Sequence, residues 1–322
     1  MKKIFWFIGW MLYASVADAQ PVQERLLKAM QQFEKDSQMR HAIVGMAVAD
    51  AASGKIVYER NAQVGLAPAS TQKIITSAAA FELLGHDYRY KTTLDYNGKI
   101  ENGVLNGHLN IKSSGDPTFG SWRYAGTRDS VIINKWAKAV SKLGVRRIKG
   151  GLLVVETAAH QAIPDGWIWQ DIGNYYGAGA YELNWKENQY YLVLQSGDNI
   201  GDRVTIAKAG SKVVKNEYAN VLRAAAKGTG DNAYIYFSVA PGRKPVTAGT
   251  IPVGERSFSI SGATPDPIRE LQQDFTAAFS KASIRFDEFN EVAWGRLMTA
   301  RPMGVGIDTH LSPPLDSINY WF

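Results

Sequence analysis

Leu66-Ala67-Pro68-Ala69-Ser70-Thr71-Gln72-Lys73-Ile74-Ile75-Thr76-Ser77-Ala78-Ala79-Ala80-Phe81-Glu82-Leu83-Leu84-Gly85 is the stretch around which the 322-residue chain is read. From Thr71 to Leu84 it holds neither Pro nor Gly, and Gly85 suits a C-terminal cap, so it predicts a helix. Ile74, Ile75, Ala78, Ala79, Phe81, Leu83 and Leu84 make that helix apolar on most sides, which predicts one buried in the middle of a domain. Ser70 and Lys73 stand three residues apart at its start, a spacing that puts both on one face. Unsatisfied N–H groups there favour a developing negative charge. A lysine on a buried helix loses solvation, and as the neutral amine it can take the serine proton. The alternative on local physics is an N-capping Ser70 with a solvated Lys73, although lysine in a first turn opposes the helix dipole.

Outward from this stretch, residues 23–40 predict a helix with Leu26, Leu27, Met30 and Phe33 on one face. Ala42–Ala49 and Lys55–Arg60 flank turn chemistry at Asp50-Ala51-Ala52-Ser53-Gly54 and predict a hairpin. From about Tyr90 to Thr264 short strands dominate: Tyr90–Tyr96, Leu105–Lys112, Gly151–Val155, Tyr190–Leu194, Arg203–Ile206 and Ala233–Val239. One helix is expected near Ser130–Leu143 and another at Arg269–Ala282, after Pro265-Asp266-Pro267. The 90–264 segment therefore reads as a β-rich insertion, one or two small modules, interrupting a domain made of residues 20–89 and 265–322.

Composition is that of a globular protein, 45% hydrophobic and 20% charged, with a formal charge of +6. No run of five or six like charges supports nucleic-acid binding. Lys2 and Lys3, the apolar run Ile4–Val16 and Ala17-Asp18-Ala19 have the layout of a cleavable secretory signal over residues 1–19. That run is shorter than the roughly 20 residues a membrane span needs, so no stable span is expected after cleavage. The absence of cysteine excludes disulfides, thiolate metal sites and a lipidated cysteine, and with export it points to a periplasmic or secreted protein. The five histidines are scattered with no two at ligand spacing, so neither a metal nor a cofactor is expected.

Beyond Leu66–Gly85, further blocks align with one family. Gly103-Val104-Leu105-Asn106-Gly107, Ser114-Gly115-Asp116-Pro117-Thr118, Gly166-Trp167-Ile168-Trp169-Gln170-Asp171, Tyr175-Tyr176-Gly177-Ala178, Pro265-Asp266-Pro267 and Ser312-Pro313-Pro314-Leu315 extend over nearly the whole chain after residue 19. Together they resemble the low-molecular-mass class C penicillin-binding proteins, the D-alanyl-D-alanine carboxypeptidases/endopeptidases. The resemblance implies an α/β fold, an antiparallel sheet flanked by helices, incomplete at its C-terminal end and broken by the β-rich insertion. It implies Ser70 as nucleophile and Lys73 as base, an acyl-enzyme hydrolysed by water, peptidoglycan stem peptides as substrates and β-lactams as covalent inhibitors. For Asp171 it implies a contact to the free amino group of a peptidoglycan side chain, beside a plain reading as a turn or N-cap aspartate.

The family chemistry uses Ser-x-x-Lys, Ser-x-Asn and Lys-Thr-Gly together. Lys-Thr-Gly occurs nowhere in the chain, and Lys227-Gly228-Thr229-Gly230 has the wrong order. Ser317-Ile318-Asn319 follows Ser312-Pro313-Pro314-Leu315 too closely and is expected in the helix leading toward the second motif rather than in the motif itself. By this reading the chain ends before the second and third motifs and could lack turnover. The other functions carried forward are a β-lactamase-like hydrolase and a non-catalytic peptidoglycan-binding protein. Trp167, Trp169 and Trp185 are expected in the core or a cleft wall, and Asp116 in a turn.

Overall fold

The computed structural model describes residues 21–155, 163–211, 213, 218–238, 243–287 and 304–321. The signal expected at 1–19 and the end of the strand expected at Ala233–Val239 lie outside them. In chain order the main elements are α1 (Val22–Phe33), β1 (Met46–Ala49), β2 (Ile56–Arg60), α2 (Gln72–Leu84), β3 (Lys91–Tyr96), β4 (Lys99–Glu101), β5 (Val104–Asn106) and β6 (Leu109–Ser113). Then come α3 (Asp129–Lys142), β7 (Arg147–Ile148), β8 (Leu152–Val155), α4 (Trp169–Ile172), β9 (Gln189–Gln195), β10 (Thr205–Ala209), β11 (Ala219–Asn220) and β12 (Arg223–Ala225). The remainder holds β13 (Asn232–Tyr236), β14 (Val246–Pro252), β15 (Phe258–Ala263), α5 (Pro267–Lys281), β16 (Arg285–Phe286), β17 (Val305–Leu311) and α6 (Leu315–Trp321). The chain divides into two compact units, 1–78 and 79–322, with the boundary inside α2.

In the smaller unit, β1 and β2 form the expected antiparallel hairpin, Val48 opposite Tyr58. Its turn is tied by Asp50, whose Oδ1 accepts from the Ser53 amide at 2.8 Å and the Ser53 hydroxyl at 2.6 Å. The apolar face of α1 meets the chain before β1 along a cleft of about 350 Å³ lined by Leu26, Met30, Phe33 and Val44. Met30 is buried there.

The larger unit has two apolar cores. One is built on the sheet β17-β3-β6-β8, with Leu94 opposite Ile111 and Ile111 opposite Val154, and on the smaller sheet β16-β7-β5-β4. Helices α3 and α5 cover it, contributing Ile132, Trp136, Val140, Ile268, Leu271, Phe275 and Phe279. Helix α5 thus packs with elements of the 90–264 segment; its Asp266 cap accepts from the Arg269 amide at 2.9 Å. The other core, with Leu192, Leu194, Ile235, Ile251 and Ile260, lies among β9, β13, β14 and β15. The first core therefore joins residues from both sides of position 264, while the second is built from residues 190–260.

Two expectations are corrected. Leu105–Lys112 is not one strand: it breaks at Gly107-His108 into β5 and β6, which belong to different sheets. The reason is a close approach, since a Cβ at Gly107 would stand 1.9 Å from the carbonyl oxygen of Asn97. Helix α2 is not buried. No residue of α2 falls in the buried class, and Ile74, Ile75 and Leu83 are 72%, 66% and 83% exposed. Apolar side chains on most sides record that a helix needs cover on most sides, not which element supplies it.

Trp185 opens a tight turn in which Lys186, Glu187 and Asn188 all take left-handed φ values, between 52° and 57°. Each such non-glycine residue costs about 1–2 kcal/mol. Partners fix all three. Lys186 Nζ reaches Asp274 at 2.6 Å, Glu187 accepts from Arg123 Nε at 2.9 Å and Ser121 Oγ at 2.6 Å, and Asn188 Oδ1 accepts from the Trp185 amide at 2.9 Å.

Candidate functional site

Ser70 lies in a 3₁₀ turn, Ala69–Thr71, that runs directly into α2, and Lys73 is in the first turn of that helix. The turn is closed by Pro68, whose carbonyl accepts from the Thr71 amide at 3.1 Å and from the Thr71 hydroxyl. Ala69 is held at φ 46°, a left-handed conformation unfavourable for alanine, immediately before the candidate nucleophile. The helix ends as expected: Gly85, at φ 85°, donates its amide to Phe81 O at 2.9 Å. Ser70 and Lys73 are both exposed, so the desolvation expected of Lys73 from the apolar helix is not found in this chain.

Asp171 falls in the larger unit, in the short helix α4, beside a row of exposed aromatic rings. Trp169 donates its indole N–H to Phe237 O at 2.9 Å, which fixes the ring against Tyr236, 5.2 Å between centroids. Tyr236 in turn stacks on Tyr234 at 6.3 Å. Tyr175 and Tyr176 meet edge to face at 5.2 Å. Partial burial, then the charge of Asp171, pushes the Tyr176 hydroxyl above its ordinary range. Of the three tryptophans, only Trp185 is core, at 1% exposed; Trp167 and Trp169 stand 42% and 44% exposed. Tyr234 and Tyr236 were missed from the sequence. The alternation Ala233-Tyr234-Ile235-Tyr236 carried the signal: Ile235 is buried and the tyrosines occupy the other face.

The segment that leads to α6 is firmly held. Ser312 donates its amide to Tyr90 O at 3.0 Å and accepts from the Tyr90 amide at 2.8 Å, while Arg89 donates to Ser312 O at 2.7 Å. Tyr124 donates its hydroxyl to Ser317 O at 2.5 Å. Ser317 and Asn319 both lie in α6, the helical position expected of them. Asp116 is a turn residue, also as expected: its Oδ1 accepts from the amide and hydroxyl of Thr118 at 2.8 and 2.6 Å. Among the described residues no helix is long and apolar enough to cross a membrane.

The chain is 30% identical over 165 residues to the D-alanyl-D-alanine carboxypeptidase DacB of Haemophilus influenzae, covering 51% of this chain and 32% of that protein. It is 26% identical over 238 residues to a D-alanyl-D-alanine carboxypeptidase of Actinomadura sp., covering 72% of this chain and 40% of the relative. The chain therefore spans well under half the length of these curated relatives. In fold it is similar to penicillin binding protein 4 of Haemophilus influenzae, with a TM-score of 0.65 at 22% identity over 85% of this chain and 57% of that one. A structure of the same neighbour in complex with a β-lactam matches with a TM-score of 0.58 at 21% identity, over 84% of this chain and 55% of that one. The D-Ala-D-Ala carboxypeptidase 3 (S13) family model matches residues 26–318, which takes in the Ser70 turn, both cores and the Ser312–Leu315 segment; the chain belongs to that family.

Proposed function

We propose that this chain carries the nucleophile segment and the insertion of an exported serine D-Ala-D-Ala carboxypeptidase/endopeptidase, acting on peptidoglycan peptides and open to acylation by β-lactams. One observation carries the reading: in a chain of this family, Ser70 sits in a strained turn at the start of α2, with Lys73 three residues on. Lys73 takes the Ser70 proton as the hydroxyl oxygen attacks the D-Ala-D-Ala carbonyl. The amine then passes the proton to the leaving group, and water releases the acyl group. The Ser70 amide supplies one oxyanion donor. The second belongs in this family to the Lys-Thr-Gly strand, absent from the 322 residues, and losing such a donor costs about 10²–10³ in kcat. Slow acylation and poor turnover are therefore expected of this chain.

Fluorescent penicillin labelling of the folded chain, its Ser70→Ala variant and its Lys73→Met variant tests the reading. Label is expected on the parent, none on Ser70→Ala, and much slower labelling of Lys73→Met. Equal labelling of all three would remove Ser70 from the mechanism.

A second reading, a non-catalytic peptidoglycan-binding protein, is favoured by the solvent-exposed Ser70 and Lys73 together with the exposed aromatic face at Asp171. Sedimentation with purified sacculi that survives Ser70→Ala but is lost in Trp169→Ala, without penicillin labelling, would support it.

A further inference from the structure

Arg89 stands in Tyr88-Arg89-Tyr90, just before β3, and its guanidinium reaches the far end of the chain: Nη1 donates to Ser312 O at 2.7 Å. That bond fixes the planar fork beside an open pocket of about 360 Å³, at the small end of the range for ligand sites. The pocket lies wholly within the larger unit, lined by the loop before α3, by α3 itself and by the end of β17.

The floor of this pocket has little hydrogen left to donate. Thr127 is buried, and its hydroxyl donates inward to Ser121 O at 2.9 Å. Ser312 is buried too, and its hydroxyl donates to Pro313 O at 2.7 Å. The Tyr124 hydroxyl is spent on Ser317 O. His310, also buried, turns Nε2 toward Asp116 Oδ2, 3.8 Å distant. A hydroxyl carries a single hydrogen, so the three that are already donated inward hold the floor in shape and leave ligand binding to the walls.

Two of the lining residues are cations, Arg89 and Lys135, and none is Asp or Glu. Lys135 is already matched: its Nζ meets Asp308 at 3.0 Å and Thr309 O at 3.2 Å. Arg89 is not. It has no carboxylate partner among the described residues, and its bond to Ser312 O uses one N–H of the fork. One unmatched guanidinium, held in place, selects one negative charge. Its coplanar donors fit the two oxygens of a carboxylate, whereas a doubly charged phosphate would leave one charge uncompensated. Leu311 and Pro313 supply apolar wall for a short carbon chain.

We propose that this pocket binds a small monocarboxylate, either a short aliphatic acid or the C-terminal residue of a peptide, with its carboxylate on Arg89 and its carbon chain against Leu311 and Pro313. The site uses neither Ser70 nor Asp171, so its failure would leave the nucleophile assignment untouched.

A ¹H–¹⁵N NMR titration of the full chain tests the site with four probes: propionate, N-acetylglycine, propionamide as the uncharged counterpart of the first, and inorganic phosphate. Saturable shifts of the Gly126, Thr309 and Leu311 amides are expected with the two acids, and the tighter of them identifies the source as free acid or peptide end. Propionamide should leave these amides in place, and phosphate should bind more weakly than either acid. Arg89→Gln should weaken carboxylate binding by about tenfold or more, and Arg89→Lys, which keeps the charge without the fork, by less. An equal response to propionamide, tighter binding of phosphate, unchanged affinity in Arg89→Gln, or no saturable shift with either acid would overturn the proposal. Should Arg89→Gln fail to fold, the parent's discrimination between propionate and propionamide decides alone.

Discussion

Trp136 and Trp185 in the larger unit are sealed to 0% and 1% exposure, while Ile74 and Ile75 on α2, in the smaller unit, stand 72% and 66% exposed. The two regions put large apolar residues to opposite ends. Around Phe119, Trp136, Trp185, Phe275 and Phe279 every ring has neighbours 5.2–5.9 Å away, so the core is completed within the larger unit. On α2 the same chemistry is displayed rather than enclosed. Stability of the described chain therefore resides mainly in the larger unit, and the candidate chemistry in a segment that contributes little to it.

The largest test of that contrast is a pair of truncations. Phe275→Ala should destabilise the larger unit by about 3–5 kcal/mol, whereas Ile74→Ala should stay within about 0.5 kcal/mol in urea unfolding. Equal losses would break the contrast.

Next in size is Asp274→Ala. It strands the Trp185 indole N–H, which Asp274 accepts at 3.0 Å, leaves the partly buried Lys186 amine its longer 3.3 Å pair with Asp129, and loosens the left-handed turn. A loss of about 2–4 kcal/mol is expected by denaturant unfolding, and Asp274→Asn should recover part of it.

Tyr218→Phe removes the 2.6 Å bond between the Tyr218 and Tyr190 hydroxyls in the second core, at about 1–2 kcal/mol. Burial pushes the Tyr190 hydroxyl up to about 12, so its share of stability is whole below pH 10 and is lost as the pH rises toward 12. Ultraviolet titration should show this tyrosine ionising late. The smallest effect belongs to Arg60→Ala in the smaller unit. Its pair with Glu34, 2.9 Å long but solvent-exposed, should be worth no more than about 1 kcal/mol.

Much of this was legible from residue order. The β1–β2 hairpin followed from Asp50 to Gly54, the α2 stop from Gly85, and α5 from its Asp266-Pro267 start, because each depends on short-range backbone chemistry. The split of β5 from β6 was not legible, since it depends on Asn97 approaching Gly107 across a turn. Exposure of α2 was not legible either: a pattern of side chains records the need for cover and not its supplier. At the candidate site, Ser70 and Lys73 were found by their spacing and the family likeness. The row Trp169–Tyr236–Tyr234 came only from folding, because β13 is brought beside α4 from over sixty residues away.

The most direct measurement is peptide mapping of the folded chain after prolonged exposure to a β-lactam. Trypsin cleaving after Arg60 and Lys73 frees a peptide of residues 61–73, in which Ser70 and Thr71 are the hydroxyl residues. The adduct mass is expected on that peptide, fragmenting to Ser70, and absent from Ser70→Ala. A folded chain that carries the adduct elsewhere, or takes up none, would contradict the assignment of Ser70 as the nucleophile.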